Sequence, residues 1–389
     1  MTISDHLEML GVELRATWTQ TRKANGDISQ GRIGNTIKQW KAGKFMHLSL
    51  RSWSINQYCL PKMWFRTHSV DLRVQDVTKV TSLIKSWLYQ DQLLKPEELV
   101  MHRPTSLGGL GVHCVMLKAQ TGLIRSFLET AINPSFRQSL FHNILFRYHV
   151  LGDSSIPDPG YPPFYSEDFF SKIKRVHQHS PLNVATMTEK QWYRLLLEDY
   201  SLMEDNNEVR EYKKCRVEQA KPETNWERSW RLARLSGLGP ENTSFLFKML
   251  HQLLPTQERL ARLSPNTSSS CILPGCVNLL DDLPHALVQC QGNDGVGLKV
   301  FECVRSYAPN LDVEAALRLE LDVSEEVELP LVWLLSTVYQ AIWKCRATRT
   351  KVNLYDIRSK LEAQINLLRE TRFSNITIIL DHLVINYFS

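Results

Sequence analysis

Three cysteines and a histidine fall close together in the last third of the chain, as Cys271-x4-Cys276-x8-His285-x4-Cys290. Thiolate and imidazole are donors that hold zinc in a tetrahedron, one pair from a tight turn and the other from a second short element. Pro274-Gly275 can make the turn inside the first pair, and a loop or short helix can close the five-residue step from His285 to Cys290. Four protein donors leave no coordination position for a substrate, so the expected Zn2+ site is structural rather than hydrolytic. Spacing by itself is also compatible with three buried thiols beside an unrelated histidine, since the first gap is at the long end of the usual range. Asp281 and Asp282 are either partners of His285 or part of a solvated loop, and the loop is the simpler reading. The other cysteines (59, 114, 215, 303 and 345) stand singly and read as reduced, small core residues.

Charge is distributed unevenly. Residues 1–150 carry 19 lysines and arginines against 10 acidic residues, whereas the rest of the chain carries 27 against 31. A basic N-terminal third suits a polyanion, most simply a nucleic acid. Lys38, Lys41, Lys44 and Arg51 surround Trp40 and Phe45, a mix that suits phosphate contact by the cations. The same cations could line a merely solvated face, and the core is the favoured place for the two aromatics. Arg228, Arg231 and Arg234 recur every third residue, either as a stripe tracking a backbone or as the wet side of a helix whose other face holds Trp226 and Trp230. Lys344, Arg346, Arg349 and Lys351 form a further patch, which a cationic helix end opposing the macrodipole explains without a ligand. Neither convergent carboxylates nor a Ser/His/Asp cluster occurs in motif form.

The elements that carry these residues are mostly helical. Ile33, Ile37 and Trp40 lie at helical spacing, as do Val77, Val80, Ile84 and Trp87 behind Asp76 as a cap. Phe169, Ile173 and Val176 follow a helix start at Ser166, and Thr186 with Glu189 fits a capping box. Further stripes are Leu246–Leu253, then Leu331, Leu335, Val338 and Ile342, then Ile357, Leu361, Ile365 and Leu368. Alternation of period two is rare and clearest in the short stretch Leu10–Leu14. The predicted fold class is therefore mainly α. Loops are expected at Arg103–Gly111, in the proline-rich Gly152–Pro163, and in the polar Asp205–Pro222. With 43% hydrophobic and 22% charged residues the chain is not disordered throughout. The first twenty residues contain Asp5, Glu8, Glu13 and Arg15 and so lack a signal-peptide core. The longest apolar run, Leu329–Trp343, is too short to span a bilayer and reads as a buried helix. An intracellular protein of nucleus or cytoplasm, neither secreted nor membrane-bound, is expected.

One order of motifs resembles a known family. Trp226 and Trp230 are followed by Phe245-Leu246-Phe247-Lys248, by His251-x2-Leu254-Pro255-Thr256-x2-Arg259-Leu260, and then by the cysteine–histidine cluster. This order is similar to the zinc-binding region at the C-terminus of non-LTR (LINE-type) retrotransposon reverse transcriptases. Leu10-Gly11-Val12 looks like the last strand of the polymerase palm. Ile37-Lys38-x-Trp40-Lys41, Leu48-Ser49-Leu50-Arg51, Asn56 and Leu60-Pro61 resemble the thumb. Ser82–Trp87, Lys95-Pro96, Arg103-Pro104 and Gly108-Gly109-Leu110-Gly111 resemble the stretch that follows it. The likeness covers most of residues 8–290; Ile342-Trp343-x2-Arg346 in the tail is a weaker match.

The resemblance implies a palm remnant at 1–20, a thumb-like helical domain at 21–132, and a helical linker region at 133–225. A zinc-binding CCHC region at 226–295 and a helical C-terminal region at 296–389 would follow. The family's aromatic-x-Asp-Asp motif, whose carboxylates hold two metal ions, is missing. Leu280-Asp281-Asp282 lacks the aromatic, and Pro157-Asp158 lies before the cysteine cluster rather than after it, where some members place a nuclease. The implied function is non-catalytic: a C-terminal fragment that holds RNA, target DNA or their hybrid, with no small-molecule substrate. The alternative is a host-recruited structural or protein-interaction factor derived from such an element.

Overall fold

A computed structural model describes residues 6–9, 12–41, 46–90, 92, 94–132, 140–161, 165–179, 184, 186–201, 214–234, 238–264, 266–276 and 279–369. The chain is mainly helical, and the one sheet among the described residues is a small antiparallel pair, β1 (His6–Met9) and β2 (Val12–Arg15), in register from His6 opposite Arg15 to Met9 opposite Val12. Val12–Leu14 of the alternating stretch thus lie in strand, Leu10 and Gly11 fall outside the described residues, and the partner strand had no such signal. Two compact units divide the chain: residues 1–90 with 111–213, and residues 91–110 with 214–389.

In the first unit α1 (Trp18–Lys41) is followed by α2 (Leu48–Ser54), a π-helical turn at Ile55–Cys59, α3 (Pro61–Thr67) and α4 (Val74–Leu88). Ile33 and Ile37 of α1 are buried, as are Val80, Ile84 and Trp87 of α4. Half-buried Trp40 lies against Trp87, ring centroids 5.1 Å apart. Asp76 is not the cap. The helix starts two residues earlier, and the buried Asp76 carboxylate takes both forks of Arg73, at 2.7 and 2.8 Å. The closeness of α1 and α4 explains Gly26, which stands in mid-helix where alanine would be the better helix former. A Cβ there would collide with the Asp76 carboxylate. Gly26→Ala is expected to cost about 1–3 kcal/mol, despite the gain in helix propensity. Urea denaturation checks this, and a neutral or stabilised variant would refute the packing.

The chain then passes once through the second unit, in α5 (Glu98–His102), and returns with α6 (Val115–Ile132), α7 (Leu140–Leu145), α8 (Glu167–His179) and α9 (Glu189–Ser201). Much of the segment expected to be a helical linker lies here in one core. Ile124, Phe127 and Leu128 of α6 join Phe146, Val150, Phe169, Phe170, Ile173, Trp192 and Leu196. The apolar stripes of α8 and α9 must be buried somewhere, and α6 supplies the facing surface. Ser166 caps α8, accepting from the Phe169 N–H at 3.2 Å. The capping box of α9 is displaced from Thr186/Glu189 to Thr188 and Gln191, which exchange hydrogen bonds of 3.3 and 2.7 Å. Residues 162–163 and 205–213 of the expected linkers lie outside the described residues, and the second linker ends in the short helix Arg216–Ala220.

The second unit adds α10 (Arg216–Ala220), α11 (Trp226–Leu232), α12 (Pro240–Leu250), α13 (Gln257–Leu263), α14 (Val296–Tyr307), α15 (Val313–Leu317), α16 (Glu325–Thr348) and α17 (Leu354–Arg369). Helix α16 is its axis. Residues Leu331–Leu335, Val338, Tyr339 and Ile342 are all buried, so this helix is apolar on every side rather than along one stripe. It packs against α12, α14 and α17. Among the described residues no helix is long and apolar enough to cross a membrane.

Candidate metal centre

Two short elements carry the four donors. Residues 269–281 fold back on themselves: the Cys271 N–H donates to the Leu279 carbonyl and the Asp281 N–H to the Ser269 carbonyl, both at 2.9 Å. Gly275 turns the chain at φ +88°, a left-handed conformation that favours glycine, as the Pro274-Gly275 signal anticipated. The second element is a π-helical turn, His285–Gln289. Its i→i+5 repeat suits the spacing of His285 and Cys290. The Asp282 carboxylate starts this turn by accepting the His285 N–H at 2.8 Å. Gly292 lets the two elements touch, since a Cβ there would come within 2.6 Å of the Leu273 Cβ.

The structure brings all four candidate ligands together. One donor atom each from Cys271, Cys276, His285 and Cys290 lies within 4.8 Å of the others. The sulfur of Cys290 is 3.5 Å from that of Cys276 and 3.8 Å from that of Cys271. Such separations are what a tetrahedron with metal–sulfur bonds of about 2.3 Å requires. Cys276, His285 and Cys290 are buried, and His285 Nε2 has no hydrogen-bond partner. A buried ring nitrogen left without a partner is costly unless a metal ion takes its lone pair. The donor set can therefore hold a metal ion.

Electrostatics around the donors are uneven. Burial opposes ionisation of Cys276, but hydrogen bonds from the backbone of Gly292 and Gln291 and from the other thiols outweigh it and hold its pKa low. Burial, reinforced by the neighbouring thiols, pushes the Cys290 thiol up to about 12. Burial also holds His285 below its usual range, which favours the neutral, ligating imidazole.

A residue that the motif does not contain completes the surroundings. Arg346, near the end of α16, is 4% exposed; it donates from Nη1 to Cys271 Sγ at 3.5 Å and pairs with Asp281 through Nη2. Asp281 is fully buried and accepts the Gln257 N–H at 2.8 Å through its other oxygen. This corrects the solvated-loop reading of Asp281, whose partner is Arg346 rather than the His285 side chain. It also removes Arg346 from the expected cationic helix end. The signal was present only as an arginine 75 residues from Cys271, which no local pattern connects to it.

The cations expected to meet nucleic acid fare differently. Lys38 is exposed on α1. Lys44 and the side chain of Lys41 lie outside the described residues. Arg51 departs from the expected exposed face: it is buried and donates at 3.2 Å to the carbonyl of Leu88, one of the groups that the end of α4 leaves without an intrahelical partner. Arg228 and Arg231 pair with the buried carboxylate of Glu328, at contacts including 2.6 Å and 3.5 Å, and Arg231 reaches Glu325 as well. Arg234 donates to the Gly109 carbonyl, and burial lowers its pKa to about 10. The three-residue repeat thus fastens α11 within its own unit.

Two stretches that carried the family resemblance also meet. Trp226, Trp230 and His251 form a ladder, with centroids 5.2 and 4.6 Å apart. His251 Nε2 lies 2.7 Å from the Gly108 carbonyl and so carries the donated proton. Burial lowers its pKa to about 4, so it is neutral. Glu218 accepts from Arg103 at 2.7 Å and from the Trp230 indole at 2.9 Å. Gly108, at φ +77°, lies where any Cβ would strike Trp230. The motif residues Arg103, Gly108, Trp230 and His251 are therefore one buried polar cluster that pins the 103–111 loop.

Fold and site together define a predominantly helical protein with a buried three-cysteine, one-histidine cluster able to hold a metal ion. Compared with models of known protein families and with curated protein sequences, the chain matches none.

Proposed function

We propose that this chain is a non-catalytic nucleic-acid-binding segment resembling the C-terminal part of a LINE-type reverse transcriptase, holding RNA or target DNA beside a structural zinc site. The observation that carries this reading is the convergence of Cys271, Cys276, His285 and Cys290 downstream of the Trp226–Trp230 and His251–Thr256 motifs. Three thiolate donors with one imidazole suit zinc among the common divalent ions. Bound there, the ion would cross-link the 269–281 turn to the 285–290 turn; its chemistry would be structural because all four positions come from protein. The chain's own part is to bury the donors and to supply N–H groups to the thiolates. The aspartates nearest the centre are engaged, Asp281 by Arg346 and Asp282 by the His285 N–H, which speaks against these two as a carboxylate pair for nucleotidyl transfer.

The N-terminal excess of positive charge supports phosphate contact, with Lys38, Lys41 and Lys44 as the cations assigned to it. Fluorescence-anisotropy titration of a short RNA–DNA hybrid over a salt series tests this. Replacing these three lysines with alanine is expected to flatten the log–log salt slope by about 3 while leaving binding sequence-tolerant. Absence of binding at low salt would overturn the nucleic-acid reading. Less than stoichiometric zinc in purified protein, measured by mass spectrometry, would overturn the zinc assignment.

A further inference from the structure

Close to the metal-binding turn, the second unit contains a half-open cavity of about 210 Å³. Trp226, Met249, Leu254 and Leu317 give it an apolar wall, and Thr256 and Arg259 a polar one. The volume is below the ~300–1,000 Å³ of pockets that enclose whole ligands, and matches one ring-sized group. Trp226 is the end of the ladder through Trp230 and His251, so a flat ring lying on it would extend an existing stack.

The charges in the lining are mostly spent. Lys221 and Arg318 each hold Glu314 at 3.1 Å, Arg262 holds Glu258, and Asp282 accepts the His285 N–H. Arg259 differs from the other lining cations: among the described residues no carboxylate lies within ion-pair distance of it. Its Nη1 is buried with no hydrogen-bond partner, as is the hydroxyl of Thr256, which is 2% exposed. Arg216 and Arg262 both bear on Arg259. Burial first, then repulsion from these two guanidiniums, lowers its pKa, with only Glu258 acting against them. Arg259 and Arg262 stand about one turn apart on α13, and the Arg262–Glu258 pair is exposed on the Arg262 side, so both guanidiniums can turn to an arriving polyanion. Guanidinium forks match phosphate oxygens in pairs.

We propose that Arg259 and Arg262 grip successive phosphates of a single nucleic-acid strand, and that the cavity beside Arg259 takes one of its bases against Trp226. This rests on the nucleic-acid reading above and gives it a site near the metal centre, in place of the internally paired Arg228, Arg231 and Arg234. Base-on-aromatic stacking is tolerant of sequence, so the site should hold strands of any composition.

Anisotropy titration of a labelled single-stranded oligonucleotide with the full metal-loaded chain tests it. The R259Q/R262Q variant is expected to bind about tenfold more weakly at low salt. Its log–log salt slope should be flatter by about 1.4, from two phosphates on a single strand. It should retain the wild-type metal content and helical circular dichroism. An abasic strand is expected to bind the wild type about tenfold more weakly than an intact one. Should the double variant lose its metal or helicity, R259Q alone, at a half-exposed position, is read instead, with a slope flatter by about 0.7. Wild-type binding with an unchanged slope in the variant would overturn this site and leave the nucleic-acid reading standing. Equal binding of abasic and intact strands would overturn the base in the cavity, and no wild-type binding at low salt would overturn both.

Discussion

Stripping the metal with a chelator is expected to unfold the 269–293 region and to lower the thermal midpoint of the chain markedly. The donors are held together by few apolar contacts of their own; Leu273 is the buried hydrophobe that packs with Cys276 and Cys290. Without an ion, the fold must keep three thiols and an unpartnered imidazole nitrogen in contact, which binding to the ion alone makes favourable. In small zinc-binding domains that binding contributes about 10–16 kcal/mol of apparent folding free energy. In a larger unit part of this is expressed as local rather than global stability. Amide hydrogen exchange should therefore lose protection first at Cys271, Asp281 and the turn 285–290, whose backbone hydrogen bonds build the site. Cys276→Ser or Cys290→Ser should reproduce the loss. Cys303→Ser, buried in α14 but outside the cluster, should keep the metal. Protection and midpoint unchanged after complete metal removal would refute a structural role.

Breaking the Arg346–Asp281 pair should have the second large effect. Arg346→Ala leaves a fully buried carboxylate with only the Gln257 N–H for compensation, and removes the hydrogen bond to the Cys271 sulfur. A buried pair that loses one partner typically costs about 3–5 kcal/mol. Loss of a group that orients a metal ligand costs a further ~10–100-fold in metal affinity. Asp281→Asn should be milder for the metal, because Arg346 keeps its contact with Cys271. The order of chelator resistance is therefore expected to be wild type, then Asp281→Asn, then Arg346→Ala. Urea denaturation gives the stability half of the measurement. An Arg346→Ala protein as stable and as metal-retentive as the wild type would remove Arg346 from the centre.

Much of the helical pattern and all four donors were legible in sequence because both depend on short-range spacing. A stripe at positions 33 and 37, or at 80, 84 and 87, marks a helix wherever it packs, and the turn between Cys271 and Cys276 is encoded by Pro274-Gly275 themselves. The displaced cap of α9 is a local ambiguity of the same kind: Thr186 and Thr188 each precede a residue able to close a box, and only the helix start at Glu189 chooses between them. Charged residues were read less well. A cation's role depends on what stands opposite it, and the partners of Arg51, Arg228, Arg231 and Arg346 lie 37 to 100 residues away.

By itself, then, the sequence determined that the chain is helical and that residues 271–290 carry a complete set of metal donors, because a helix and a metal-binding turn are closed by neighbours along the chain. The tertiary structure alone decided which arginines are consumed by buried carboxylates and carbonyls, that Arg346 belongs to the cysteine–histidine cluster, and that Arg259 lines a cavity with no carboxylate in ion-pair reach among the described residues. Each of those outcomes is a balance between desolvation and pairing, and that balance is settled only when elements distant in sequence are brought into contact.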